Sequence, residues 1–214
     1  MADEKGGDML TPSSIRSRGF TLVELMVGVA LVSIMMAFAI PSFRTWIANS
    51  QVRTASEALQ SAARLAQAEA SRRYRQVVLF RTASSACTTA AAADANGGFW
   101  ALRTVALAAD DAPQAIECGK LTDGIADLKL VGPTAVCFNA AGRPITNANP
   151  GVVGANCQLP PSGISSFDVT GGDSGSSAVD RPLRILISLG GSVRMCDPSK
   201  VQSSSNPDGC PASP

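Results

Sequence analysis

The sequence predicts an α+β fold: a long N-terminal helix, first transmembrane and then amphipathic, packed on a mostly antiparallel β-sheet. Three observations predict it. Residues 20–40 are an almost unbroken apolar run. An alanine-rich stripe with helical spacing follows. Short apolar, β-branched runs separated by Gly-, Ser- and Pro-rich stretches occupy the remainder.

The first element is "FTLVELMVGVALVSIMMAFAI". At about 1.5 Å per residue it spans about 31 Å, the thickness of a hydrocarbon core. It is too long for a secretory signal, and no small-x-small cleavage site follows it. Arg16 and Arg18 stand before it, which favours a cytoplasmic N-terminus and places the remainder across the membrane. Glu24 breaks the pattern. A carboxylate deep in lipid costs a few kcal/mol and marks a function or a partner. The alternative is a position near enough to the interface to reach water, and geometry alone leaves both open.

The helix continues past Pro41. Val52, Ala55, Leu59, Ala62, Ala66 and Ala70 recur at three- and four-residue steps, with Arg53, Glu57, Gln60, Arg64 and Gln67 largely off the stripe. Alanines permit close approach to a sheet. Arg72, Arg73 and Arg75 crowd the helix end, where positive charge complements the helix dipole. A solvated helix end is the plain reading and contact with an anionic polymer the sharper one. Strands are expected near residues 77–82, 99–106, 126–131, 134–139, 164–169, 183–189 and 192–196. The segment "TGGDSGSSAVD", residues 170–180, reads as a mobile loop. Its Asp173 and Asp180 have the spacing of no calcium loop, so no metal is expected.

Composition narrows the function. The chain has 214 residues, and the part beyond residue 40 suffices for one domain with its own core. It carries 18 basic and 17 acidic residues, three of each before Phe20, which leaves 15 and 14 in the remainder. No global basic field argues for nucleic acid, although a local patch stays open. The absence of histidine removes Ser-His-Asp and Cys-His nucleophiles and His-containing zinc sites. No carboxylate pair stands at a telling spacing, so the chain reads as a non-enzyme without cofactor. A serine or lysine nucleophile is the arrangement left open.

The six cysteines, at 87, 118, 137, 157, 196 and 210, form no C-x-x-C motif. Even in number and widely spaced after a membrane segment, they read as disulfides of an oxidising compartment, with buried thiols as the alternative. Cys196 with Cys210 is the favoured pair: it closes a short loop, worth roughly 3 kcal/mol in the chain-entropy view, and anchors the tail. Cys137 with Cys157 and Cys87 with Cys118 are suggested by proximity in sequence only.

Gly19-Phe20-Thr21-Leu22-Val23-Glu24-Leu25 resembles the processing site of type IV pilins and type II secretion pseudopilins. The resemblance implies that prepilin peptidase cuts after Gly19, so that residues 1–19 are a leader, and that the new amine of Phe20 is methylated. It also implies that residues 20–43 become a fibre-core helix and 44–75 its amphipathic continuation, below a β-rich head of residues 76–214. Glu24 would pair with the N-terminal amine of a neighbouring subunit. Pro41 fits the pattern and is expected to kink or loosen the helix.

The stretch "SEALQSAARLAQAEASRRYRQVVLF" resembles a narrower family, the GspH/FimT-type (FimT/FimU-like) minor pilins and pseudopilins. "VCFNAAGRPI" and "LRILISLGGSVRMCDP" resemble later strands of that family, whereas residues 82–134 match poorly. The implied function is structural: a minor type IV pilin that primes or caps pilus assembly. Its implied partners are prepilin peptidase, other major and minor pilins, the inner membrane before assembly, and a tip adhesin. The head would be periplasmic first and extracellular on the fibre afterwards. One alternative is a DNA-binding minor pilin. Some relatives carry Gly-Arg-x-Arg where this chain has Gly191-Ser192-Val193-Arg194, so one arginine is absent. Arg181, Arg184, Arg194 and Lys200, with Arg143 as a further candidate, would form the patch; scattered charges near Asp180 and Asp197 are the plain reading. Another alternative is a type II secretion minor pseudopilin, GspH.

Overall fold

A computed structural model describes residues 19–108, 110–121, 128–171 and 181–212, without the side chains of residues 39–42, 44 and 45. Residues 1–18, within the expected leader, and residues 172–180, within the expected loop and including Asp173 and Asp180, lie outside the described residues. The chain divides into two compact units, Met1–Ser42 and Phe43–Pro214. Helix α1 (Leu22–Arg73) contributes to both.

The second unit is α+β. Its strands are β1 (Val77–Thr82), β2 (Phe99–Thr104), β3 (Ala115–Lys120), β4 (Leu128–Val131) and β5 (Ala135–Phe138), then β6 (Pro144–Ile145), β7 (Ile164–Gly171), β8 (Leu183–Ser188), β9 (Val193–Val201) and β10 (Gly209–Cys210). They form two five-stranded sheets, β3-β2-β1-β5-β6 and β10-β9-β8-β7-β4. The paired strands run antiparallel, except that β10 joins β9 in parallel.

The alanine stripe does what its small side chains allow. Val52, Ala55, Leu59, Ala62, Ala63, Ala66 and Ala70 are buried on α1. They share one apolar core with Val77, Leu79, Leu102, Val136 and Phe138 of the first sheet and Phe167, Val169, Ile185 and Ile187 of the second. Ser56 is buried among them, and its hydroxyl donates to the Val52 carbonyl at 2.7 Å, so it carries no desolvation penalty. Burial of each large side chain here is worth roughly 1.5–3 kcal/mol.

Both faces of β1 are covered, which explains its non-alternating sequence Val77-Val78-Leu79-Phe80. Val78 and Phe80 face a second cluster with Ala91, Ala101, Val105, Ala135, Cys137, Val152, Ala155 and Cys157. Two loops, residues 83–98 and 146–160, supply its cover. Arg103, 5% exposed, holds both: it donates to the Thr89 carbonyl at 2.6 Å and to the Gly151 carbonyl. Burial pushes its pKa down from the ordinary arginine value. Arg81, also buried, donates across to the Leu130 carbonyl of β4 at 2.9 Å and so ties the first sheet to the second.

Helix α1 ends in a Schellman arrangement. The Tyr74 amide donates to the Ser71 carbonyl at 3.4 Å and the Arg75 amide to the Ala70 carbonyl at 3.1 Å. Tyr74 takes a φ of 51°, a place that glycine normally fills. One turn earlier, the Gln67 amide donates to the Gly142 carbonyl at 3.0 Å and to the Gly191 carbonyl at 2.7 Å. The turns after β5 and β8, one from each sheet, therefore meet on one side chain. A Cβ on Gly191, whose φ is +87°, would lie 3.0 Å from the Gly142 oxygen, so the close approach requires glycine.

The disulfides join Cys87 to Cys118, Cys137 to Cys157 and Cys196 to Cys210. The last converts the tail into β10. Where one sheet was expected there are two, and β9 runs on to Val201. Strands β3, β6 and β10 were not expected. Thr170 and Gly171, expected in a loop, belong to β7.

Candidate functional site

The N-terminal unit is built from the start of α1. Thr21 caps it: its hydroxyl oxygen accepts from the Glu24 amide at 3.2 Å. The Leu25 amide bonds to the Thr21 carbonyl at 3.1 Å. Thr21 and Glu24 thus stand at the spacing of a capping box, with Glu24 in the first turn, where the helix dipole favours an anion. The Glu24 carboxylate is exposed and makes no ion pair among the described residues.

Around this carboxylate every described side chain is solvent-facing within the unit, Phe20 at 80%, Leu22 at 72% and Phe38 at 78% included. Ser33, the one hydroxyl midway, donates to the Val29 carbonyl at 2.8 Å and so satisfies itself internally. A helix apolar on all sides needs apolar surroundings. Among the described residues no helix is long and apolar enough to cross a membrane. The expected span of residues 20–43 extends beyond Phe38 into side chains outside the described set. Pro41 lies within α1, and its side chain is outside the described set.

The expected basic patch is divided. Arg184 on β8 forms a forked pair with Asp168 on β7, at 2.6 and 3.2 Å, because the register sets the two opposite each other. Lys200 sits 2.8 Å from Asp208 and 3.3 Å from Asp197. The hydrogen bonds that Lys200 donates, to Asp208 first and then to Asp197, raise its pKa above the ordinary lysine value. Arg194 and Arg143 are exposed, and neither makes an ion pair among the described residues. Arg181 is also exposed; its backbone amide donates to the Asn49 side-chain oxygen at 3.0 Å. Gly191 serves the Gln67 contact.

The arginines at the end of α1 are likewise engaged. Arg72 and Arg73 bind Glu69 at 2.6 and 2.7 Å, and Arg75 binds Asp111. Among the described residues no cluster of Cys, Asp and Glu is placed to hold a metal ion. An open cleft of about 560 Å³ lies beside the loop cover, lined by Thr82, Ser84, Asp94 and Thr134 with small residues between them.

Residues 15–40 match the prokaryotic N-terminal methylation motif. The chain is type IV pilin-like at its N-terminus. The matched residues include Gly19, Phe20 and Glu24 and stop before Pro41. The same segment is similar to the type IV major fimbrial protein FimA of Dichelobacter nodosus: 54% identical over 35 residues, 16% of this chain and 22% of that protein. A fimbrial protein of Dichelobacter nodosus is 56% identical over 34 residues, 16% of this chain and 21% of its own length. The similarity therefore spans about a fifth of the length of these relatives. Among solved structures, the type IV minor pilin FimU of Pseudomonas aeruginosa aligns with a TM-score of 0.45 and 16% identity, over 72% of this chain and 95% of FimU. A second crystal form of FimU aligns with a TM-score of 0.42 and 17% identity, over 71% of this chain and 98% of that one. The pilin-like segment thus unites the cap of Thr21, the free carboxylate of Glu24 and the exposed apolar helix.

Proposed function

We propose that this chain is a minor type IV pilin, a structural subunit that primes or caps fibre assembly. The supporting observation is the methylation motif on a helix whose apolar side chains have no cover of their own. Prepilin peptidase cuts after Gly19, and Phe20 becomes a methylated N-terminus. The segment then rests in the inner membrane until neighbouring pilins replace lipid around it. The partners are other major and minor pilins, with a tip adhesin as a further one.

Glu24 has a defined part in this reading. Thr21 supplies the helix cap, so the carboxylate is left for the amine of a neighbouring Phe20. An unpaired charge in the apolar fibre interior would cost a few kcal/mol, which selects the one register where the pair forms. Glu24→Ala keeps the cap and the apolar surface. Membrane-fraction levels are expected to be unchanged while the sheared-fibre fraction falls roughly tenfold or more, as loss of a desolvated ion pair requires. Normal incorporation overturns the register role. Mass spectrometry of the membrane-bound chain should give an N-terminal peptide that begins at Phe20 and carries one added methyl group; a chain uncut at Gly19 overturns the pilin reading. A secretion pseudopilin would share this segment. A gene neighbourhood of minor pilins and a large adhesin supports the pilus, and a secretion operon the pseudopilin.

A further inference from the structure

The three disulfides stand in different surroundings. Cys137 and Cys157 are 0% and 2% exposed, and Cys196 and Cys210 are 4% and 6% exposed. Cys87, by contrast, is exposed on a loop, and Cys118 is half-buried on the edge strand β3. Thiol–disulfide exchange needs a thiolate to reach a sulfur, so access ranks these bonds.

What the bond holds also differs. Among the described residues, residues 83–88 make only local hydrogen bonds: Ser84 amide to Thr82 hydroxyl at 3.1 Å, Ala86 amide to Ser84 hydroxyl at 3.2 Å, Thr88 amide to Ala86 carbonyl at 2.9 Å and Ala91 amide to Thr88 carbonyl at 3.4 Å. Beyond them the loop is anchored without the disulfide. Arg103 holds Thr89, the Ala93 amide donates to the Val153 carbonyl at 2.8 Å, and the Asp94 amide to the Arg81 carbonyl at 2.8 Å. On the other side, β3 stays paired with β2, Ile116 packs on the core, and the Trp100 indole covers Gly119. Opening the bond would free residues 83–88 and leave both flanks in place.

We propose that Cys87–Cys118 is a thiol–disulfide exchange site, which a dithiol partner opens and closes while the head stays folded. The incoming thiolate attacks Cys87 Sγ, forms a mixed disulfide and releases Cys118 as a thiolate. The partner's second thiol gives its proton to the Cys118 thiolate and, as a thiolate, attacks the partner's own sulfur in the mixed disulfide, which frees Cys87 as a thiolate that takes a proton from water. The protein disulfide gains two electrons and the dithiol loses them as its own disulfide.

The probe is dithiothreitol, titrated against the full chain in mild detergent, with alkylation and peptide mass mapping at each step. Cys87 and Cys118 are expected to label roughly tenfold or more faster than the other four, the gap that sub-global protection gives. Joint labelling of all six, or earlier labelling of either buried pair, overturns the proposal. The double variant Cys87→Ser/Cys118→Ser keeps it falsifiable. It should retain native near-UV circular dichroism, protect the remaining four cysteines and gain a subtilisin cut within residues 83–88. Loss of the native spectrum, or of that protection, shows that the bond is structural and overturns the proposal too.

Discussion

Glu69 organises the end of α1 and sets a pH dependence. Arg72 and Arg73 both bond its carboxylate, whose side chain is only 13% exposed. Their hydrogen bonds, that of Arg72 first, hold the Glu69 pKa at about 2, down from 4.5. The folded pKa lies below the unfolded one. The contribution is therefore complete above pH 4.5 and is lost as pH falls toward 2. Arg72 is well exposed, so solvent screening keeps the pair's contribution small. Glu69→Gln is expected to lower Tm at neutral pH, with the gap closing between pH 4.5 and 2 in melts followed by circular dichroism. A gap that persists in acid would assign the loss to packing instead. Tyr74, five residues on, was not legible: a tyrosine at positive φ looks like any other residue in sequence, and only the closing bonds of the helix force it there.

At the scale of elements, the main joint is Gln67. Its one amide serves a carbonyl in a turn of each sheet, so Gln67→Ala leaves Gly142 and Gly191 oxygens without that donor. The expected loss is about 1–3 kcal/mol in chemical denaturation. Amide exchange should rise together at Gly142 and Gly191, whose own bonds close the two turns. A rise in one turn alone would show that the amide does not couple the sheets. Legibility followed the same physics. Strands β1, β2, β5, β7 and β8 were readable because their apolar runs are packed on a core. Strand β3 was not: Ala115-Ile116-Glu117-Cys118-Gly119-Lys120 is an edge, held by backbone pairing and by one indole over Gly119. Strands β6 and β10 are two residues each, too short to leave a pattern. The unbroken run Val77-Val78-Leu79-Phe80 did carry the signal of a strand buried on both faces. The buried Arg103 was legible only as a cation within an apolar strand.

For the whole molecule, part of the near balance of charge is realised as local pairing among the described residues, and this bears on how the chain meets a polyanion. The carboxylates that occupy Arg184 and Lys200 come from Asp168, Asp197 and Asp208, which strand register and the Cys196–Cys210 tie bring alongside. Sequence could list these cations but not their partners, whereas the methylation motif of residues 15–40 was legible because its signal is contiguous. Of the four expected DNA-contacting cations, Arg181 and Arg194 make no ion pair among the described residues. Two phosphate contacts, or three with the equally unpaired Arg143, give a slope of about −2 to −3 for log K against log salt, against nearly −4 for four. So shallow an electrostatic term is expected to hold duplex DNA weakly at physiological salt. A gel shift of the full chain should therefore show no retarded band at micromolar protein near 0.15 M salt, the ionic strength at which screening cuts in at about 8 Å. Any band at low salt should vanish in Arg181→Glu/Arg194→Glu. A band that survives physiological salt with a slope near −4 would mean that phosphate outcompetes Asp168 and Asp208 for their cations, and would move the DNA-binding reading ahead of the purely structural one.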